Sequence, residues 1–470
     1  MIRTIQSVAW IAVACCSLMS LRAAEPISLH PQNRHYFLFR GKPTVLITSG
    51  EHYGAVLNAD FNYRRYLKTL GADGFNLTRT FSGAYCEQNG AFRIRNNTLA
   101  PKAGRLLSPW KRSRTAGYAN GGNRFDLKQW DAAYFSRLKN FVAEAGRNGV
   151  VVEFVLFCPF YKERMWNLSP MNARNNVNGI GRVKRKDVYT LKHPALLAAQ
   201  DAMVRKIVTE LNGFDNLYYE ICNEPYFGGV TAAWQEHISR TIVQTESTLK
   251  TRHLISQNIA NKSKTIRKPN PRISIFNFHY AYPPRAVSDN YRLNKVIAEN
   301  ETGFRGSKPD PYRTEGWDFI LAGGAVYNNL DYSFICGKED GSAQIQAPGG
   351  GGPVLRKQLR VLKQFIERFD FIHMRPDNGV IISGIPSAAT ARALVQRGQA
   401  YAIYINGGSA ATLKLRLPAG TYRAEWINTR TGAVDKTETF VQKGSQRTLT
   451  SPGYSRDIAL RITRTRSPRR

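Results

Sequence analysis

The chain is short of acid. Against 67 lysines and arginines it has 34 aspartates and glutamates, a formal net charge of +33 over 470 residues. The excess is spread along the sequence and gathers only near the end, at Arg461, Arg464, Arg466, Arg469 and Arg470. A diffuse positive field concentrates polyanions but specifies no chemistry. No stretch interleaves basic with aromatic residues as a nucleic-acid module does, so no specific nucleic-acid partner is expected. Cysteine is scarce as well. Of the six, Cys15 and Cys16 fall in the first two dozen residues, and Cys86, Cys158, Cys222 and Cys336 are scattered without metal-ligand spacing. The last four read as structural thiols. A phosphate-cradling glycine loop and a dinucleotide fingerprint are both missing, so neither metal nor cofactor is expected. Beyond the N-terminus no apolar run is long enough for a transmembrane segment. No 20–50-residue repeat stands out.

What is present is a globular chain, 42% hydrophobic and 21% charged. Its start differs from the rest. Arg3 precedes an apolar run from Val8 to Met19, and Ala23 and Ala24 stand just before Glu25. That layout reads as a signal peptide over 1–24, implying a secreted or periplasmic protein. Cys15 and Cys16 leave lipoprotein anchoring open.

From residue 44 onward, short β-branched or aromatic runs alternate with amphipathic stretches. The strand candidates are 44–49, 75–79, 150–157, 217–222, 253–257, 274–279, 295–301 and 325–332. Several are almost wholly apolar, as parallel strands covered on both faces must be. Helix candidates lie between them at 63–70, 133–147, 196–211, 234–249 and 312–322, with 355–368 after the eighth strand. Eight strand-then-helix units predict a (β/α)8 TIM barrel over 25–375, with long insertions after strands two and three. Past Pro376 short strands separated by Gly, Pro and Asn turns predict a small all-β sandwich over 376–466, ahead of a basic tail at 467–470.

The densest chemical signal is Leu217-Tyr-Tyr-Glu-Ile-Cys-Asn-Glu-Pro-Tyr226. An apolar strand ends there in Asn223-Glu224-Pro225, and the C-terminal ends of barrel strands carry active sites. Hydrolysing a glycosidic bond needs two carboxyls, one to protonate the departing oxygen and one at the anomeric carbon. Lys295-Val-Ile-Ala-Glu-Asn-Glu-Thr-Gly-Phe304 supplies the second at strand seven. Glu299 and Glu301 are two apart and on a regular strand share a face, so periodicity does not choose between them. Glu301 is preferred because it stands at the strand's exit; Glu299 would lie deeper, paired with a basic group. Aromatic faces stack on sugars, so Glu51-His-Tyr53, Tyr85, Tyr161 and Trp166 at strand exits are candidate cleft residues.

Asn223-Glu224-Pro225 on strand four, with Glu301 before Thr302-Gly303 on strand seven, resembles clan A of the glycoside hydrolases, which includes the family 5 cellulases and mannanases. The resemblance spans roughly residues 40–370. It implies Glu224 as acid/base, Glu301 as nucleophile, and Asn223 against the sugar 2-hydroxyl. It also implies that Arg79 orients Glu301 and that His279 and Tyr280 line the site. Where the clan often has a Trp at the end of strand eight, this chain has Asn328-Asn-Leu-Asp-Tyr332, making Asn328 and Tyr332 the substituting wall. The implied activity is retaining hydrolysis of a poly- or oligosaccharide. A transglycosylase would share these residues, and a non-catalytic polysaccharide-binding or adhesive protein is the alternative without chemistry. The positive charge, with Arg305 and Lys111-Arg112 as candidate cleft cations, points to an anionic substrate.

Overall fold

The computed structural model describes residues 25–345 and 348–465. The expected signal peptide at 1–24 and the basic tail at 467–470 lie outside those residues. Eight parallel strands form the barrel: β1 (Leu46–Gly50), β2 (Leu77–Phe81), β3 (Val151–Phe157), β4 (Leu217–Cys222), β5 (Ile255–Asn261), β6 (Ile275–His279), β7 (Val296–Thr302) and β8 (Val326–Leu330). The ladder runs unbroken from β2 through β3, β4, β5, β6, β7 and β8 to β1. At the remaining seam a side chain completes the wall. Asn76 accepts from the Ile47 amide at 3.0 Å and donates to the Val45 carbonyl at 2.8 Å. All eight predicted strands are found, within a few residues at each end.

Apart from a single turn at Glu163–Trp166, the α-helices among the described residues are α1 (Tyr63–Ala72), α2 (Ala132–Arg147), α3 (Pro194–Leu211), α4 (Ala232–Glu246), α5 (Arg285–Asn290), α6 (Asp310–Leu321) and α7 (Gly352–Ile366). Local chemistry fixes their starts: Asp131 caps α2 by accepting from the Ala133 and Tyr134 amides, and Thr231 caps α4. One expectation fails here. Eight strand–helix pairs were predicted, but β5 returns to β6 through residues 262–274 without a helix. Pro269, Asn270 and Pro271 interrupt that stretch, and prolines so spaced break an α-helical ladder. The insertion after β2 carries a hairpin, Trp110–Ala116 with Asn123–Trp130, that the sequence reading lacked.

The C-terminal part is two antiparallel sheets of six and three strands. Period-two alternation lets the larger sheet serve two cores. Leu394, Ala402, Tyr404, Ile427 and Ala459 join the barrel's core, whereas Val395, Ile403, Trp426 and Leu460 belong to the sandwich's own. The seam lies on α6. Trp317 stacks on Tyr404 with centroids 5.3 Å apart, and buried Arg313 meets Asp457 at 2.5 and 3.2 Å. No helix among the described residues is long and apolar enough to cross a membrane.

Candidate active site

The barrel's interior layer is charged. Arg79 of β2 is 1% exposed and sits among Glu220 of β4 (2.7 and 3.2 Å), Glu153 of β3 (3.7 Å) and Glu301 of β7 (3.3 Å). It also donates to the Asn223 side-chain carbonyl at 2.7 Å and lies over the Tyr53 ring, 4.4 Å from its centroid. Burial alone would lower its pKa, but the surrounding anions outweigh this and hold Arg79 firmly protonated. Glu153 is pushed the other way, up to about 8, by burial and by Glu220 beside it. Asn277 and Asn300 each bridge these two carboxyls, donating to Glu153 at 2.7 and 3.1 Å and to Glu220 at 3.0 and 2.7 Å. The buried cation is thus surrounded by carboxyls from β3, β4 and β7.

Above this layer the candidate carboxyls meet at His279. Its Nδ1 lies 3.2 Å from Glu224 and 3.3 Å from Glu301, and one ligating atom from each of the three falls within 4.8 Å of the others. This is the one such grouping of His and carboxyl ligands among the described residues. Burial would lower the His279 pKa, yet Glu301 and Glu224 raise it to about 9. Asn258 contacts the other ring nitrogen. For Glu301, burial favours the neutral acid, but His279, Arg79 and a hydrogen bond from Tyr280 hold the carboxyl far below the usual range. Its oxygens accept from Tyr280 at 2.8 Å and from Tyr53 at 3.0 Å. Glu224 accepts from the Tyr161 hydroxyl at 2.6 Å and the Tyr226 hydroxyl at 3.1 Å.

The choice between Glu299 and Glu301 turns on a bulge. Phe278 pairs with Glu299 and His279 with Glu301, so Asn300 is an extra residue on β7. The same skip occurs against β8, where Glu299 pairs with Tyr327 and Thr302 with Asn329. An inserted residue reverses the facing of whatever follows it. The expectation that Glu299 and Glu301 share a face is therefore overturned. Asn300 and Glu301 point into the barrel. Glu299 faces the helix layer, accepting from the Ala281 amide at 2.7 Å with Glu315 of α6 beside it. Burial and the Glu315 carboxyl push the Glu299 pKa well above the usual carboxylate range. Among the described residues no basic side chain pairs with it within 4.0 Å; Arg305, which pairs with Glu315, acts on it only from further off.

The pocket over the pair is small, about 70 Å³, walled by His52, Tyr53, Phe81, Tyr161, Tyr280 and Phe304. Of the predicted residues, the structure brings Glu224, Glu301, Arg79, Asn223, His279, Tyr280, Tyr53, His52 and Tyr161 together. Tyr332 stands one ring back, stacked on His52 with centroids 5.7 Å apart. Two predicted residues are elsewhere. Trp166 is turned into the core against Phe160, its indole donating to the Val183 carbonyl at 3.3 Å. Asn328 is 1% exposed in the barrel wall and donates to the Asn300 carbonyl at 2.9 Å. The three candidate cations are not among the residues that wall the pocket: Arg112, next to Lys111, covers Tyr118 and Phe125, and Arg305 pairs with Glu315 at 3.1 Å.

Other pocket residues escaped the sequence reading. Glu87 and Phe92 arrive from the insertion after β2. Burial raises the Glu87 carboxyl to about 7, against hydrogen bonds from Asn97 and Tyr85 that favour the anion. Beside them His52, which the sequence reading did include, is buried near Arg79 and pushed down to about 4. Five aromatics among the described residues are substantially exposed, Phe92, Tyr226, Phe227, Tyr282 and Phe304. Phe92 and Phe227 both pack on Tyr161, Tyr226 on Phe227, and Phe304 on Tyr280, so four of them rim the mouth. Tyr53, Glu224, Tyr280 and Phe304 have φ of 62, 34, 51 and 61°, a left-handed backbone that non-glycine residues adopt only when their surroundings enforce it.

No family model matches the chain, and no curated protein matches it by sequence. In three dimensions it is similar to a candidate glycoside hydrolase of Bacteroides vulgatus: 16% identity, 94% of this chain and 83% of the other, TM-score 0.68. A second similar structure is described as a glycoside hydrolase (14% identity, 94% and 97% covered, TM-score 0.62). A third is a family 5 glycoside hydrolase of Bacteroides vulgatus, at 13% identity, with 93% of each chain covered and a TM-score of 0.60. At such identities the likeness establishes architecture: the chain has the (β/α)8 barrel with an appended β domain that those structures share over most of its length.

Proposed function

We propose that this protein is a retaining glycoside hydrolase acting on a poly- or oligosaccharide. The observation that carries the reading is the pair of carboxyls ending β4 and β7, both on His279, with oxygens brought within 4.8 Å of each other. Double displacement requires carboxyls about 5–5.5 Å apart, and single displacement about 6.5–9.5 Å to admit a water between them. The close pair supports the first. The similar structures described as glycoside hydrolases support glycoside hydrolysis in general.

In the first step Glu224 protonates the departing glycosidic oxygen as Glu301 attacks the anomeric carbon. Glu301 suits this because Arg79, His279, Tyr280 and Tyr53 keep it anionic and fix its direction. A glycosyl ester forms on Glu301 and the aglycone leaves with the Glu224 proton. In the second step Glu224 removes a proton from water, which attacks the same carbon and releases Glu301. Asn223, held by Arg79 at 2.7 Å, is placed to bond a sugar hydroxyl beside the reacting carbon. The aromatic rim offers faces for stacking on further sugar units. A purely adhesive barrel has no use for a buried arginine balanced on four side chains below the pocket, so the non-catalytic reading explains less. The leader-like segment at 1–24 fits export to where polysaccharides are met.

The test is a panel of neutral and acidic polysaccharides and aryl glycosides, with hydrolysis followed by proton NMR. The first-formed sugar should keep the anomeric configuration of the substrate. Inversion would rule out the covalent route.

A further inference from the structure

The missing fifth helix leaves a groove. It has a volume of about 880 Å³ and runs along the outside of the barrel between the start of α4 and the loop after β5. Pro225 and Tyr226 form its upper end, directly after Glu224, whose carboxyl the Tyr226 hydroxyl touches. Its floor is neutral, with Gln235 and Gln257 joined at 3.0 Å. Its other wall is Lys264, Arg267 and Lys268, all exposed. None of the three has a carboxylate within 4.0 Å among the described residues. The nearby acids are engaged elsewhere: Asp289 accepts from Ser263 at 2.6 Å, and Glu236 faces Arg240 at 3.4 Å and Arg272 at 3.8 Å. Three free cations over a neutral floor, continuous with the acid/base residue, make a rim that selects negative charge.

Resting on the hydrolase reading, we infer that this groove is the subsite for the leaving part of the substrate, and that this part is an anionic saccharide bearing sulfate or carboxylate groups. The acid/base residue stands on the leaving-group side of the scissile bond by the logic of its task. A chain departing past Tyr226 enters the groove at its upper end and meets the three cations along its length. The expectation of an anionic substrate from net charge alone thus gains a place, on different residues from the Arg305 and Lys111-Arg112 first suggested.

The experiment is calorimetric titration at low salt with a dextran sulfate oligosaccharide, an oligogalacturonate and a neutral dextran oligomer. Wild type is compared with K264Q/R267Q/K268Q and with E224Q. The inference predicts binding of at least one anionic oligomer and weakening by about tenfold or more in the triple variant. It also predicts a fall with ionic strength, since such contacts are screened over about 8–10 Å. The sulfated and uronate arms tell the two anion sources apart. E224Q removes the acid/base group, so anion binding and its fall with ionic strength are read there without turnover. Equal affinity of wild type and triple variant, no anionic binding, or preference for neutral dextran would overturn the inference. So would binding confined to phosphatidylglycerol vesicles. Failure of every glycoside to turn over, with anion binding intact and sensitive to the triple variant, would count against the hydrolase reading alone.

Discussion

The barrel mouth and the appended β sandwich obey local rules to different degrees. In the sandwich, Thr390–Gln396 pairs with Ala400–Asn406 residue for residue, and inward apolar side chains alternate with outward ones. At the mouth, four pocket residues hold a left-handed backbone, a bulge interrupts β7, and an arginine and several carboxyls are buried together. Strain and buried charge are costly and persist where the surroundings over-determine them. The difference indicates that the sandwich contributes stability and the mouth contributes chemistry.

The sharpest way to break this comparison is to substitute on each side. Glu224→Gln should lower kcat about 10²–10⁴-fold, the usual worth of a positioned acid/base, with the melting temperature held. Val441→Ser, on the exposed face of the sandwich, should change stability by less than about 0.5 kcal/mol and leave kcat alone. Comparable losses of kcat from both would end the distinction.

A second test probes the seam. Asp457→Ala leaves the buried Arg313 with Asp310 as its remaining carboxylate partner and should cost about 1–3 kcal/mol in chemical denaturation. Activity per folded molecule should stay unchanged. A matching fall in kcat would give the sandwich a part in the chemistry.

The third concerns two histidines at the mouth. An NMR titration should place His279 near 9 and His52 near 4, on either side of the ordinary 6.5. Because the folded His279 value is raised, its stabilisation is full below about 6.5 and fades as pH rises through about 9. Glu301 runs the opposite way: its folded value is depressed, so its contribution holds above about 4.5 and is lost on acidification. In Glu301→Gln the His279 midpoint should fall towards neutrality. An unmoved midpoint would mean that Glu301 is not what holds the proton.

The smallest effect belongs to Glu299→Gln. A carboxyl that faces the helix layer, its pKa raised by burial and Glu315, is replaced by an amide of the same shape, so kcat/KM should change by less than about tenfold, or 1.4 kcal/mol.

Strand positions were legible because parallel strands buried on both faces must be apolar throughout, and β4 and β7 carried their carboxyls at readable exits. Other features left no such mark. The Asn300 bulge arises from barrel register, which periodicity in one strand does not report, and so Glu299 and Glu301 looked equivalent. Strand Val434–Gln442 is largely exposed and polar, which hid it. Glu87 and Phe92 come from an insertion without hydrophobic period, so nothing in the sequence aimed them at the pocket. Trp166 was chosen as an aromatic near a strand exit, but the Phe160 and Val183 contacts that bury it are long-range.

The central claim is that Glu301, turned inward by the bulge, is the nucleophile. It is tested most directly by incubating the enzyme with 2-deoxy-2-fluoro glycosides bearing a good leaving group and mapping the labelled peptide by mass spectrometry. The account predicts a single fluoroglycosyl adduct on Glu301 and none in Glu301→Gln. An adduct on Glu299, or undiminished labelling of Glu301→Gln, would contradict it.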